Sequence, residues 1–404
     1  MGQHVRHVDA ARERQPEAPF EEIMCDPELF VSLRRAGQRL KAQQYVRGLL
    51  ALPGRKTLRN IATQFGGDAA EQSVHHFISA SPWEWMPLRG ALARQVRRTL
   101  SPEAWVVRPV VIPKVGAHSI GVDQQFLPSL GRSLNGQYAL GTWLASPRSA
   151  VPVDWRLRLA GRWLEEPLRQ RVGIPAGLSA GTLEGLVRAS VARLTDVLGS
   201  DAAPVVVDVA GIDSVALAGD LSAMGVPFLA RVSSDTPLRL DRGRLPRYGD
   251  RGRTAGELAA SLAGLRRQVN PGDGTVTGVA VPVAVPHPGA RTGELLLVGE
   301  WRAGASSATG AALWLTNLEG PSLAELLRLT RLRSVVARDF ATVSERVGAM
   351  DFAGRSYPGW HRHITLASIA HYFLVRQPDV VVDQVKQRSS AQGDVDHRNR
   401  PTVR

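Results

Sequence analysis

The sequence has little cysteine, little lysine and no long apolar run. Cys25 is the only cysteine among 404 residues, so a disulfide within the chain and a thiolate zinc site are both excluded. We therefore predict a reducing, cytoplasmic setting. The apolar run VTGVAVPVAV is shorter than a membrane span and contains proline. The polar start MGQHVRHVDAARERQPEAPF also lacks the apolar segment of a signal peptide. These absences predict a protein without a membrane partner.

Positive charge is in excess and is almost entirely arginine. Fifty Lys and Arg stand against 37 Asp and Glu, a formal net charge of +13, and only positions 41, 56, 114 and 386 are lysine. Guanidinium groups suit phosphate oxygens and base edges. The charge therefore predicts a polyanionic partner, with duplex DNA first. The alternative is a protein–protein module whose arginine content reflects a GC-rich genome.

The first hundred residues are predicted to be an arm followed by helices. Residues 1–18 are polar and proline-containing, which is typical of a disordered arm. In residues 19–102 apolar side chains recur at helical spacing, with arginines opposite. The run KTLRNIATQFGGDAAEQSVHHFI predicts two helices about Gly66-Gly67. This layout is typical of a helix-turn-helix and also of an ordinary helical hairpin, and both interpretations stay open.

After residue 102 the pattern is that of an α/β domain. It predicts strands over 104–112, 118–126 and 137–145, then a helix, a strand, a helix and a strand over 180–198, 204–209, 215–224 and 228–232. Residues 103–235 would form the first part of the core and residues 236–319 a mostly β insertion. Residues 320–376 would complete the core with helices, one from 323 to 347 and one from 363 to 375. Residues 377–404 would be a flexible tail.

Seven local runs, in this order, resemble one family of transposases. They are YVRGLLALPGRKTLRNIA, ISASPWEW, PKVGAHSIGV, the Gly131…Asn135…Gln137 pattern, VPVDWRLRL, VVVDVAG and GRSYPGWHRHITLASIAHYFL. The chain is thereby similar to the insertion-sequence-701 transposases, a branch of the DDE superfamily. The resemblance implies a ribonuclease H-like α/β core with a mostly β insertion, preceded by an all-α N-terminal domain. It also implies DNA strand transfer as the ancestral reaction.

The resemblance also shows which catalytic acids this chain lacks. Such enzymes need three carboxylates that converge on two divalent ions, and oxygen ligands suit Mg²⁺. By the resemblance, Arg108 and Pro109 occupy the first acid positions, Asp208 keeps the second, and Ala337 occupies the third. A lone carboxylate does not supply a two-ion site, and Arg108 adds a permanent positive charge. We therefore expect no metal cofactor and a catalytically inactive relative, either a remnant or a regulator, in which Asp208 caps a turn.

The alternative is an active transposase that uses Mg²⁺ and displaced carboxylates. The available acids are Asp123, Asp213, Asp339 and Glu345, which we interpret as solvated surface groups. Three histidines of the last motif, His361, His363 and His371, have a spacing compatible with a metal, but we interpret them as packing residues of the last helix.

The basic residues of the family-like runs are the predicted contacts to duplex DNA. They are Arg55, Lys56, Arg59, Lys114, Arg355 and Arg362. Contacts of this kind bind phosphates with a strong salt dependence and carry little sequence choice. The prediction is thus a cytoplasmic, nucleoid-associated DNA-binding protein, and the resemblance leaves a homodimer open.

Overall fold

The structure is a computed structural model that describes residues 27–66, 68–127, 131–199, 203–241, 243–246, 253–285, 294–301 and 311–376. The predicted arm, residues 1–18, and the predicted tail, residues 377–404, lie outside the described residues.

Helices occupy the N-terminal region, as predicted. They are α1 Pro27–Phe30, α2 Ala36–Ala51, α3 Leu58–Ala62, α4 Asp68–Ser79 and α5 Trp85–Leu100. Thr57 begins α3 because its hydroxyl accepts the backbone N–H of Asn60 at 3.1 Å. A 3-10 turn and Gly66, with φ of 121°, separate α3 from α4. The predicted pair of helices about the glycines is therefore present.

The core that follows is a mixed sheet with helices. Its elements are β1 Ala104–Pro113, β2 Val122–Leu127, β3 Arg132–Ala145, β4 Ala150–Leu157, α6 Leu168–Val172, α7 Leu183–Leu198, β5 Val205–Val207, α8 Ser214–Ala223 and β6 Phe228–Arg231. Strands β1, β5 and β6 are parallel, and β1 pairs antiparallel with β3. Strands β2 and β4 share the other edge of β3. The five-strand order β4-β3-β1-β5-β6 is consistent with the expected ribonuclease H-like core.

Strand β4 was not among the predicted strands. Its sequence AVPVDWRL contains a proline and two charged residues, and no alternation of polar and apolar residues reveals a half-exposed face. In the structure it is buried on both faces, because α11, Tyr357–Val375, packs on one side and Asp154 is enclosed by arginines on the other.

The region of residues 236–319 extends the same sheet. It contains β7 Pro237–Leu240, β8 Arg253–Thr254, α9 Ala255–Ser261, β9 Arg267–Val269, β10 Val276–Ala284, β11 Leu295–Trp301 and β12 Ala312–Thr316. Strand β12 pairs with β6, and β11, β10, β7 and β8 follow outward. The mostly β insertion is thus a continuation of the core sheet at its β6 edge.

Two helices end the described chain. Helix α10, Leu323–Asp339, begins with a capping box between Ser322 and Glu325 and is followed by a π-helical turn over Phe340–Ser344. The predicted single helix to residue 347 is therefore shorter. Helix α11 begins six residues before the predicted 363, because Ser356 caps it and Pro358 fits its first turn.

One hydrophobic core runs from Leu29 to Leu374. Helix α11 is buried along nearly its whole length, in contact with α2, α4, α5 and β4. Since the described N-terminal helices, residues 27–100, pack on this helix, they share a core with the α/β part rather than having one of their own.

Candidate functional site

The three parallel strands bring three charged residues into one row. The register pairs Val107 with Val207 and Val207 with Ala230. The next residues on β1, after β5 and on β6 are Arg108, Asp208 and Arg231. The backbone N–H of Asp208 donates to Val107 O at 2.9 Å, which continues the ladder past the end of β5. The row lies at the carboxyl edge of the parallel strands, where α/β sheets commonly bind ligands.

Arginines surround the Asp208 carboxylate. Nη1 of Arg231 donates to Asp208 Oδ1 at 2.9 Å, and Nη1 of Arg333 on α10 lies 3.8 Å from Oδ2. Burial lowers the pKa of Arg108, Asp208 raises it and Arg333 lowers it further, so all three charges act on one another. We name Arg108, Asp208, Arg231 and Arg333 the Asp208 cluster. Its formal charge is positive, with three guanidiniums against one carboxylate.

The site is open to solvent. The side chains of Asp208, Arg333 and Arg231 are 17%, 30% and 48% exposed. The Arg333 guanidinium also lies 5.9 Å from the ring centroid of Trp314, which pairs with Arg231 across β6 and β12. A cation near an aromatic ring gains favourable electrostatic energy. The arginines are thus held by the sheet and by an aromatic neighbour.

Two members of the cluster were not predicted from sequence. Arg333 precedes Ala337 by four residues, about one helical turn, and so projects from the same side of α10. The exposed Ala337 remains the predicted third acid position, and the side chain that reaches Asp208 is Arg333. Arg231 ends a buried strand, and its place beside Asp208 follows only from the β5–β6 register.

The residues of the cluster do not fit the divalent metal ions that DDE enzymes use. Mg²⁺ needs oxygen ligands, and the one carboxylate here is already paired with guanidiniums. Within the described ranges no group of three or more His, Cys, Asp and Glu side chains could hold a metal ion.

The four carboxylates considered as replacement metal ligands make other contacts or lie elsewhere in the fold. Asp213 caps α8, accepting N–H bonds from Val215 and Ala216 at 3.1 and 3.0 Å. The interpretation of Asp339 as a solvated group was wrong. It is 5% exposed and accepts the backbone N–H of Ala150 at 2.7 Å, because the end of α10 packs against the start of β4. Asp123 lies on β2, on the far side of β3 from β1. The exposed Glu345 has its pKa raised by partial desolvation.

The three histidines of α11 are buried and hydrogen-bonded within the protein. Nδ1 of His363 bonds the Tyr45 hydroxyl and Nε2 approaches Gly348 O, each at 2.8 Å. His371 bonds Ser344 Oγ and Ala150 O in the same way, each at 2.8 Å. Nδ1 of His361 lies 3.0 Å from Arg89 Nη2. Burial lowers the pKa of His363 and of His371 to about 4. These contacts agree with the packing interpretation.

Three of the six predicted DNA-contacting residues are buried or hydrogen-bonded inside the protein. Nζ of Lys114 donates to the carbonyls of Met350 and Phe352 at 2.7 and 2.8 Å. Arg362 is 5% exposed and donates to the carbonyls of Trp83 and Ile78, each at 3.0 Å. Lys56 is 3% exposed, and burial lowers its pKa to about 8.

The other three, Arg55, Arg59 and Arg355, are exposed. Arg55 also lines a cleft of about 550 Å³ together with Lys114, His118 and Asp351. Arg59 projects from α3, where its Nε lies 4.0 Å from Glu71. These three arginines therefore remain accessible to a ligand, and two of them, Arg55 and Arg59, flank the start of α3.

The mixed sheet, its strand order and the flanking helices are consistent with the expected ribonuclease H-like core. The family model described as DDE superfamily endonuclease matches residues 28–270, which is more than half of the chain. The chain belongs to this family, which supports the expected relationship to DDE transposases. No curated protein matches the chain. Throughout the described part of the chain, no helix has both the length and the apolar character needed to cross a membrane.

Proposed function

We propose that this chain is a DNA-binding member of the DDE endonuclease family that does not cleave DNA. The observation that supports this most is the state of Asp208. Its carboxylate is hydrogen-bonded to Arg231 and lies 3.8 Å from Arg333, where an active enzyme of this kind needs acids around metal ions. A cation entering the cluster would meet three guanidiniums, and like charges at such distances repel.

Binding to duplex DNA is supported by charge and by accessible arginines. The net charge of +13 favours a polyanion. Exposed Arg55, Arg59 and Arg355 supply guanidiniums that suit phosphate oxygens. In this proposal the protein derives from an insertion-sequence transposase of the insertion-sequence-701 type. It works without a metal cofactor in the nucleoid as a remnant or a regulator of transposition.

The test is a titration of the purified full chain against fragmented genomic DNA of its source. Binding is measured at two salt concentrations with Mg²⁺ present, and the products are run on a denaturing gel. We expect affinity to fall steeply with salt while the strands stay intact. Nicked or joined strands that disappear with Asp208→Ala would contradict the proposal, since they would show a site rebuilt around other acids. Absence of binding at ordinary salt would favour the protein–protein alternative.

A further inference from the structure

We propose that the Asp208 cluster is an anion site that holds one backbone phosphate of bound DNA at the carboxyl edge of the parallel strands. This inference rests on the proposed function and adds a specific binding site to it. The three guanidiniums of Arg108, Arg231 and Arg333 converge on a single carboxylate, and the formal charge of the four groups is +2.

The donors of the cluster are largely uncommitted. Each guanidinium carries five N–H donors. Across the residues that the structure describes, the one hydrogen bond that these three guanidiniums donate is that of Arg231 to Asp208. Arg333 lies near Asp208 Oδ2 at 3.8 Å, which is beyond hydrogen-bond length. A phosphate oxygen could accept bonds that Asp208 leaves unmade.

The backbone positions of the three arginines are set before any ligand arrives. Arg108 and Arg231 extend from β1 and β6 on either side of Asp208, in a register fixed by the parallel pairing. Arg333 approaches from α10 and lies beside Trp314. Preorganised donors lose less conformational entropy when they bind an anion.

Access and chemistry favour a DNA phosphate. Arg231 is 48% and Arg333 30% exposed, so a phosphodiester on the protein surface can reach them. Arginine pairs with phosphate in a bidentate way, and the family acts on DNA. Asp208 has an opposing role in this site: it orients Arg231 but also repels an incoming phosphate.

The experiment compares two Arg–Asp pairs of one chain. The first is Arg231–Asp208, and the matched control is the exposed pair Arg188–Asp220, with Arg188 Nη1 3.4 Å from Asp220 Oδ2. Binding of a fluorescent 30-base-pair duplex, a length chosen to be roughly three helical turns, is titrated over a salt series. The variants are Arg231→Gln, Arg333→Gln and Asp208→Asn, with Arg188→Gln and Asp220→Asn as controls. Thermal melting of each variant checks folding.

Loss of one phosphate contact should weaken binding by about 3–10-fold and lower the salt slope by about 0.9 for Arg231→Gln and for Arg333→Gln. Asp208→Asn should strengthen binding, since it removes the one negative charge of the site. The two control variants should bind like the unmodified chain. If the pair were purely structural, Asp208→Asn and Arg231→Gln would change DNA affinity in the same direction. Stronger binding by the first variant and weaker binding by the second therefore indicate a phosphate site.

Three results would overturn the inference, and they differ in whether the proposed function survives. If the unmodified chain binds DNA but the cluster variants match their controls, the cluster is no phosphate site and the proposed function survives. If the unmodified chain binds no DNA, both fail. Inorganic phosphate is the second probe. If it raises the melting temperature only when Arg231 is present, while DNA affinity is the same in all variants, the site binds a free anion and the DNA assignment is wrong.

Discussion

Two clusters of this protein have the same composition and differ in what encloses them. Asp154 on β4 and Asp208 after β5 each lie among three arginines. Asp154 is fully buried and accepts hydrogen bonds from Arg89, Arg156 and Ser190 at 3.1, 3.0 and 2.6 Å, with Arg193 Nε at 3.7 Å. Asp208 accepts one hydrogen bond from an arginine and is partly exposed.

The difference shows that charge alone does not define a binding site. Arg89 is also bonded to Thr365 Oγ1 and Trp155 O, each at 2.8 Å, so its donors have partners inside the protein. Burial lowers its pKa to about 10 although Asp154 raises it, and the guanidinium stays charged at neutral pH. The Asp154 cluster therefore joins α5, β4, α7 and α11. The Asp208 cluster has similar charges but donors that face solvent.

Asp154→Asn should have the largest effect. It leaves Arg89 buried without its carboxylate, and breaking a buried pair in this way costs about 3–5 kcal/mol of unfolding free energy. Urea denaturation of both proteins at pH 7 measures the loss. A change below about 1 kcal/mol would mean that the Asp154 cluster is no more structural than a surface pair.

Acid should lower the free energy of unfolding through two buried histidines of α11. The pKa of His363 and of His371 is held at about 4 by burial, below the ordinary value near 6.5. The unfolded chain therefore binds more protons in this range, and stability present above pH 6.5 is lost as the pH falls toward 4. At about 1.4 kcal/mol per pKa unit, each histidine accounts for roughly 3 kcal/mol.

Urea denaturation at pH 7 and pH 4.5 tests this dependence. The variant His371→Gln should be less stable than the unmodified chain at pH 7, where it loses a buried bond to Ser344 or Ala150, but should lose less of its stability in acid. Equal acid sensitivity of the two chains would contradict the assigned cause. His118→Gln, at an exposed position, is the control.

Asp208→Asn should cost much less than Asp154→Asn. Its partner Arg231 is about half exposed, and ion pairs at the surface contribute about 0–1 kcal/mol. The same denaturation experiment at pH 7 measures it. A loss equal to that of Asp154→Asn would erase the difference between the clusters and make Asp208 a structural residue.

The smallest effect is expected from a single exposed arginine outside both clusters. Arg59→Gln should weaken DNA binding a few-fold and lower the salt slope by about 0.9, because it removes one phosphate contact. The melting temperature should not change, because Arg59 is exposed and its ion pair with Glu71, at 4.0 Å, is weak. A salt series of binding titrations checks it. An unchanged slope would place α3 away from the DNA.

Much of the architecture could be predicted from local sequence patterns. The helices before residue 100, strand β1 and the β5–α8–β6 unit all follow from helical periodicity or from short apolar runs. Helical spacing of apolar residues indicates the helices, and the apolar run Val205–Val207 indicates β5. Strand β4 was missed because a proline and the charged residues Asp154 and Arg156 interrupt its apolar run.

The site depended on contacts between distant residues. Arg231 and Arg333 follow Asp208 by 23 and 125 positions, and only the β5–β6 register and the packing of α10 bring them to its carboxylate. Other long-range contacts bury two predicted DNA contacts: Lys56 packs beside Gly348, and Arg362 is bonded to the carbonyls of Ile78 and Trp83. The sequence by itself determined the local elements, because their formation depends on neighbouring residues. The tertiary structure decided which charges are buried and which face solvent, because exposure depends on what other segments cover.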